Sequence, residues 1–119
     1  DGLLVSASVA TYNGGKVNTL INPPDELPDE FALYQNYPNP FNNTTVITFD
    51  LPHDDNVEIE IINSLGQVVY WQHKRYTVGQ NQIEWDGRDN AGSPVASGVY
   101  YYRLSTTDHS ESKKMMLLK

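Results

Sequence analysis

Residues 85–104 read WDGRDNAGSPVASGVYYYRL, and their first half gathers the oxygen-bearing side chains that could do chemistry. Asp86, Asp89, Asn90 and Ser93, interleaved with glycines, superficially suit calcium. The D-x-[DN]-x-[DN]-G order and distal glutamate of an EF-hand are missing. Asp and Asn beside glycine also build tight turns, because their side chains bond nearby backbone and tolerate positive φ. Turns are the preferred reading, with Asp86, Asp89 and Asn90 kept as a calcium candidate behind it. Arg88 is placed to pair with a neighbouring acid, an exposed contact worth about 0.5 kcal/mol.

Catalytic chemistry has little to build on. His53, His73 and His109 are dispersed in polar sequence, and no serine sits in a G-x-S-x-G elbow. Glu58 and Glu60 alternate with Val57, Ile59 and Ile61, which reads as the solvated side of one strand rather than an acid/base pair. Three scattered histidines make a metal site only if the fold collects them. Asn42-Asn43-Thr44 and Asn43-Thr44-Thr45 match the glycosylation sequon, a common chance match. Tyr100, Tyr101 and Tyr102 alternate across a strand, so at least one faces outward, where it could stack on sugars; filling a core is the commoner use. Lys113, Lys114 and Lys119 flank the apolar run 115–118 in a chain of net charge −7. That tip is either a last strand buried on both faces with lysines guarding its edge, or a positive, apolar-centred surface for another protein.

The elements that must position these groups are β-strands. Of 119 residues, 39% are hydrophobic and 11% aromatic, with eight tyrosines, a balance that favours sheet. The acidic charge argues against nucleic acid or anionic lipid as partner. No apolar run is long enough for membrane insertion, and the absence of cysteine excludes disulfides, thiol catalysis and cysteine-ligated zinc. No cofactor is called for. The chain begins at Asp1, without an initiator methionine or signal-peptide pattern, and is expected to be part of something longer.

Residues 1–21 alternate Leu3, Val5, Ala7 and Val9, then Val17, Thr19 and Ile21, around Asn13-Gly14-Gly15. This predicts a β-hairpin that must dock on an upstream domain or a sheet edge. Residues 22–30, NPPDELPDE, hold three prolines and four acids and form a stiff, solvated linker. From 31 to 119 the pattern predicts strands near 44–51, 57–61, 67–71, 80–85, 99–105 and 112–118, within an all-β, immunoglobulin-like antiparallel sandwich of about seven strands. Phe49, Ile59, Ile61, Ile83 and Trp85 face its core. Tyr37-Pro38-Asn39-Pro40-Phe41-Asn42 cannot be a central strand, since neither proline can donate to a ladder. It reads as an extended lead-in whose aromatics plug one end of the core.

Four blocks in this order, LYQNYPNPFNNTTVITFDLP, NSLGQVV, WDGRDNAGSPVASGVYYYRL and KKMMLLK, resemble the C-terminal sorting domain of type IX secretion cargo of the Bacteroidetes and related phyla. That family shares the Ig-like fold of the flagellar hook-capping protein. The resemblance runs from about residue 31 to 119. It implies a non-catalytic secretion signal, recognised at the outer membrane after passage through the periplasm, that directs an upstream cargo domain to the cell surface or medium. Its implied partners are the outer-membrane translocon and a sortase-like peptidase that cuts the preceding linker.

Position by position, Tyr37, Pro38, Asn39, Pro40, Phe41 and Asn42 match the opening block, and Gly66 the turn glycine. Trp85, Asp86, Gly87, Gly98 and Tyr100 belong to the same structural motif. Lys114, Met115, Met116, Leu117, Leu118 and Lys119 match the terminal basic–apolar–basic signal. Asn43 departs from the family, standing where another proline is usual. The rival reading is an accessory Ig-like module of a secreted glycoside hydrolase, spacing domains or binding polysaccharide. A chain cut to residues 31–119 is expected to unfold cooperatively in denaturant with a β-rich circular dichroism spectrum. A broad, non-cooperative transition would place the hairpin inside the folded unit.

Overall fold

Period-two alternation decides the architecture. The computed structural model describes residues 27–119, in which seven strands form: β1 (Ala32–Leu33), β2 (Thr45–Leu51), β3 (Asp55–Asn63), β4 (Val68–Tyr76), β5 (Gly79–Trp85), β6 (Gly98–Ser105) and β7 (Ser110–Leu117). They make two antiparallel sheets, β1-β2-β5 and β4-β3-β6-β7, facing each other as an Ig-like sandwich. The hairpin expected over 1–21 lies outside the described residues, as does the first part of the linker. No helix of the described residues is long and apolar enough to cross a membrane.

The inward faces supply the core. Ile47, Phe49 and Leu51 of β2 and Ile83 and Trp85 of β5 meet Val57, Ile59 and Ile61 of β3, with Tyr100, Tyr102 and Leu104 of β6 and Met115 and Leu117 of β7; all are buried. Each such side chain contributes roughly 1.5–3 kcal/mol by leaving water. Trp85 anchors one end, with Phe41, Tyr70 and Tyr100 ring centroids at 5.8, 6.4 and 5.7 Å. Its indole N–H donates to the Arg88 carbonyl at 2.9 Å, so the ring is fully satisfied where it is buried.

Three boundaries differ from the alternation pattern. β3 begins at Asp55 rather than near 57, because Asp55 is itself buried and bonded. β4 continues to Tyr76 rather than stopping near 71. Its second half is polar because it is an edge strand, and its inward Gln72 is satisfied by the Tyr76 hydroxyl at 3.0 Å. β7 starts at Ser110 and is buried on one face only: Met115 and Leu117 point into the core while Met116 and Leu118 are exposed. The reading of a terminal strand buried on both faces is therefore corrected; β7 borders an open sheet face, and only its inner side meets another layer.

Asp55 ties the β6–β7 turn to the start of β3. Its Oδ1 accepts from the Thr107 hydroxyl at 2.7 Å and from the Asn56 N–H at 2.8 Å. The Thr107 bond holds the carboxyl below its ordinary value of 3.8; burial pushes the other way, and the Asn56 N–H adds to the depression. A depressed carboxylate stabilises the fold above its unfolded pKa and ceases to as pH falls through the folded one. Relative to Asp55→Asn, the wild type should keep a constant stability difference above about pH 5 and lose it progressively in more acid solution. Denaturant melts of both proteins across that range provide the check, and parallel curves would remove Asp55 from the account.

Candidate functional site

Asn36 lies two residues beyond Tyr34 and is buried, an unusual place for an amide. Its surroundings answer the backbone N–H and both ends of the side-chain amide. Its backbone N–H donates to the Tyr102 hydroxyl at 2.8 Å, and that hydroxyl donates to the Tyr34 carbonyl at 2.8 Å. The Asn36 Nδ2 donates to Thr45 Oγ1 at 2.9 Å and to the Pro38 carbonyl at 3.1 Å, while its Oδ1 accepts from Gln35 Nε2 at 2.7 Å. Thr45, also buried, sends its own hydroxyl to the Pro38 carbonyl at 2.8 Å. Burial pushes the Tyr102 phenol up to about 12, against a lowering contribution from the Asn36 N–H.

This network sets the path of residues 37–42. The expected extended lead-in is instead a bent segment with cis Tyr37-Pro38 and Asn39-Pro40 peptides. Tyr37 bridges Val46 through its backbone, N–H to carbonyl at 3.0 and 2.9 Å. Its ring is 79% exposed, whereas Phe41 is 1% exposed. Only one of the two aromatics plugs the core.

Held this way, the segment runs along the outer edge of β7. The Gln35 Nε2 donates to the Lys114 carbonyl at 2.7 Å. The Met116 N–H donates to Asn39 Oδ1 at 3.0 Å, and the Met116 carbonyl accepts from the Phe41 N–H at 2.9 Å. The Leu118 N–H donates to the Phe41 carbonyl at 2.9 Å, and Asn42 Nδ2 reaches the Leu118 carbonyl at 3.3 Å. The Lys119 N–H is held by Ser97 Oγ at 3.0 Å. Two stretches more than 70 residues apart in sequence are thus one structural unit. With Met115 and Leu117 in the core, the side chains it displays are Lys114, Met116, Leu118 and Lys119, all exposed.

The other residues singled out from sequence support this unit or lie apart from it. Gly87 (φ 76°) is buried where a Cβ would touch the Asn43 carbonyl oxygen and Leu117 Cδ2, both at 3.8 Å. Gly98 pairs with Leu117 across β6–β7, and the Tyr100 hydroxyl donates to the Ala96 carbonyl at 2.6 Å. Gly66 (φ 84°) makes the β3–β4 turn, away from the site. Asp86 pairs with Arg88 at 3.7 Å, both exposed. Asp89 Oδ1 accepts from the Ala91 and Ser93 N–H groups, and Asn90 bonds the Trp71 backbone with both its oxygen and its nitrogen. Of the oxygens offered to calcium by the sequence, Asp89 Oδ1 and Asn90 Oδ1 are engaged by backbone N–H groups and Asp86 by Arg88. Among the described residues no three His, Cys, Asp or Glu gather to hold a metal. An adjoining open cleft of about 420 Å³ is lined by Tyr70, Glu84, Asp86, Arg88 and Asp89 among others. His53, His73 and His109 are exposed and separate, His109 stacked on Phe31.

Sequence reasoning missed Gln35, Asn36, Thr45 and Ser97. Their signal was the polar density of LYQNYPNPFNNTT, which reads equally well as turn chemistry.

A family model described as secretion system C-terminal sorting domain matches residues 35–118. No curated protein matches the chain. Among solved structures, dimeric latent PorU of Porphyromonas gingivalis superposes with a TM-score of 0.64 at 22% identity, covering 74% of this chain and 9% of that one. PorZ of the same species, described as an essential bacterial surface component of the type-IX secretion system, gives 0.52 at 21% identity, covering 73% and 11%. FlgD of Pseudomonas aeruginosa gives 0.51 at 22% identity, covering 62% and 59%. At these identities the likeness is one of fold, and the chain spans about a tenth of the PorU and PorZ chains.

Asn36→Ala should destabilise by roughly 1–3 kcal/mol, because it strips partners from buried groups. Asn39→Ala, at an exposed position, should cost under about 1 kcal/mol yet speed hydrogen exchange at the Met116 amide. Denaturant melts and amide exchange by NMR separate the two effects; an unchanged Met116 rate would show that the Asn39 bond does not hold the strand.

Proposed function

The chain belongs to the family of secretion system C-terminal sorting domains, and on that premise we propose that it is the export address of a type IX cargo. The observation that carries this reading is the joint unit of residues 35–42 and 114–119. It fixes a terminal strand so that two residues fill the core while Lys114, Met116, Leu118 and Lys119 face solvent. A signal of this kind is a display rather than a reactive centre: its chemistry is two ammonium groups and two apolar side chains held in one geometry. The fold shared with PorZ, a surface component of the type-IX system, supports the same assignment.

In this account the outer-membrane translocon reads the folded domain after it reaches the periplasm. A sortase-like peptidase then cuts within the linker at 22–30, and the upstream cargo is delivered to the cell surface or medium. Residues 31–119 are the address, while residues 1–21 lie on the cargo side of the cut.

Because Met115 and Leu117 are core residues, deleting the terminal segment would confound folding with recognition. The informative variant alters only what is displayed: Lys114→Gln, Met116→Thr, Leu118→Thr and Lys119→Gln together. Exposed substitutions of this kind change stability by about 0.5 kcal/mol or less each, so melting should stay near that of the wild type. With a reporter fused upstream and a host possessing a working type IX system, surface delivery should fall and uncut cargo should accumulate in the periplasm. Wild-type delivery by the folded quadruple variant would sink the export reading and leave the accessory-module reading in place.

A further inference from the structure

A partner can read a terminal strand in two ways, by adding a strand to its free edge or by covering its exposed face. The edge of β7 is closed over the signal. The Lys114 carbonyl, both backbone groups of Met116 and both of Leu118 are already bonded to residues 35–42. Strand addition there would first have to strip off a segment anchored by buried Asn36 and Phe41.

Among the described residues the face is open, and it extends well beyond the terminal strand. Register places Val68, Ile62, Tyr101 and Lys114 in one row across all four strands of the larger sheet, pointing away from the core. The row on one side holds Val99 paired with Met116, and the row on the other holds Trp71, Glu60 and Arg103. Val68, Trp71, Tyr101, Met116 and Leu118 are exposed large apolar side chains. They form one patch about 14 Å across the strands, more than isolated surface apolars require. Within these rows Glu60 is the one carboxylate among the described residues, and Arg103 pairs with it, leaving Lys114 uncompensated and exposed Lys119 just beyond the strand. The outer face of the smaller sheet has the opposite character: its strands present Asp50 and Glu84 and no cation. The sandwich is polarised: the larger sheet's outer side carries the apolar patch with Lys114 and Lys119 at its β7 end and Glu58 one row beyond Glu60, while the other side carries only acidic charge among the described residues.

We propose that the outer face of β4-β3-β6-β7, centred on Tyr101 and Val68 and continuous with Met116 and Leu118, docks flat on a protein surface of the export machinery that has an apolar centre and a carboxylate rim. This rests on the export reading above and enlarges its read-out from four terminal side chains to a four-stranded face. Lys114 steers and orients the encounter, and the aromatic and aliphatic row supplies the contact.

Val68→Thr with Tyr101→Thr removes the apolar row, keeps strand-favouring residues and leaves the terminal motif untouched. Gln82→Thr with Gln80→Thr is the matched change on the smaller sheet's outer face. Each goes into the full chain behind the upstream reporter, with melting and surface delivery measured together. Delivery should fall about tenfold or more for the Val68/Tyr101 pair, the loss expected of a central contact, at near-native melting, and hold for the Gln80/Gln82 pair. Lys114→Glu should impair delivery more than Lys114→Gln. Wild-type delivery by the folded Val68/Tyr101 variant overturns the proposal while the export reading survives; failure of the unaltered chain to deliver overturns both. If the Thr pair proves unstable, Tyr101→Gln alone carries the same test.

Discussion

A buried amide has few acceptable surroundings, and Asn36 is the residue on which the geometry of the terminal strand hangs. Its N–H and side-chain amide must be met inside the protein, because leaving a buried polar group unmet costs about 1–3 kcal/mol. Tyr102, Thr45, Gln35 and the Pro38 carbonyl meet them. Tyr102 lies on β6, Thr45 starts β2, and Gln35 and Pro38 flank Asn36 in the opening segment, so the backbone N–H and side chain of one residue fix all three stretches relative to one another. Residues 39–42 then have no route except along β7.

From this follows a division of labour within the terminal strand. Alternation sends Met115 and Leu117 inward and Met116 and Leu118 outward, and the flanking segment keeps the strand from fraying. The display of Lys114, Met116, Leu118 and Lys119 is therefore a property of the folded domain rather than of a short peptide. A chain that had not brought residues 35–42 to 114–118 would contain the same letters without their display.

Much of this was legible in the sequence. Phe49, Ile59, Ile61, Ile83 and Trp85 stand in clean alternation and are buried in the core, and β2, β3, β5 and β6 emerge from the same period. The second half of β4 did not show, because an edge strand with one solvated border tolerates QHKRY without an apolar repeat. The burial of β7 on a single face could not be read from KKMMLLK either, since a run of consecutive apolar residues carries no period. Least visible was the union of the opening and terminal blocks. Most of the contacts between them involve main-chain groups, which every residue type carries, and the side chains that complete them are amides that look like turn formers. The resemblance to sorting domains named both blocks as parts of one family pattern without saying that they touch.

Asn90 offers a different lesson. Its amide nitrogen donates to the Trp71 carbonyl and its amide oxygen accepts from the Trp71 N–H, the same donor–acceptor pair that a neighbouring strand would present. Among the described residues β4 is otherwise a nine-residue border of the larger sheet. One side chain acts there as a surrogate strand a single residue long, occupying the middle of the border where intermolecular pairing would nucleate. A second copy would have to dislodge Asn90 before the two could zip into a continuous sheet, so one amide on a turn guards the border against self-association.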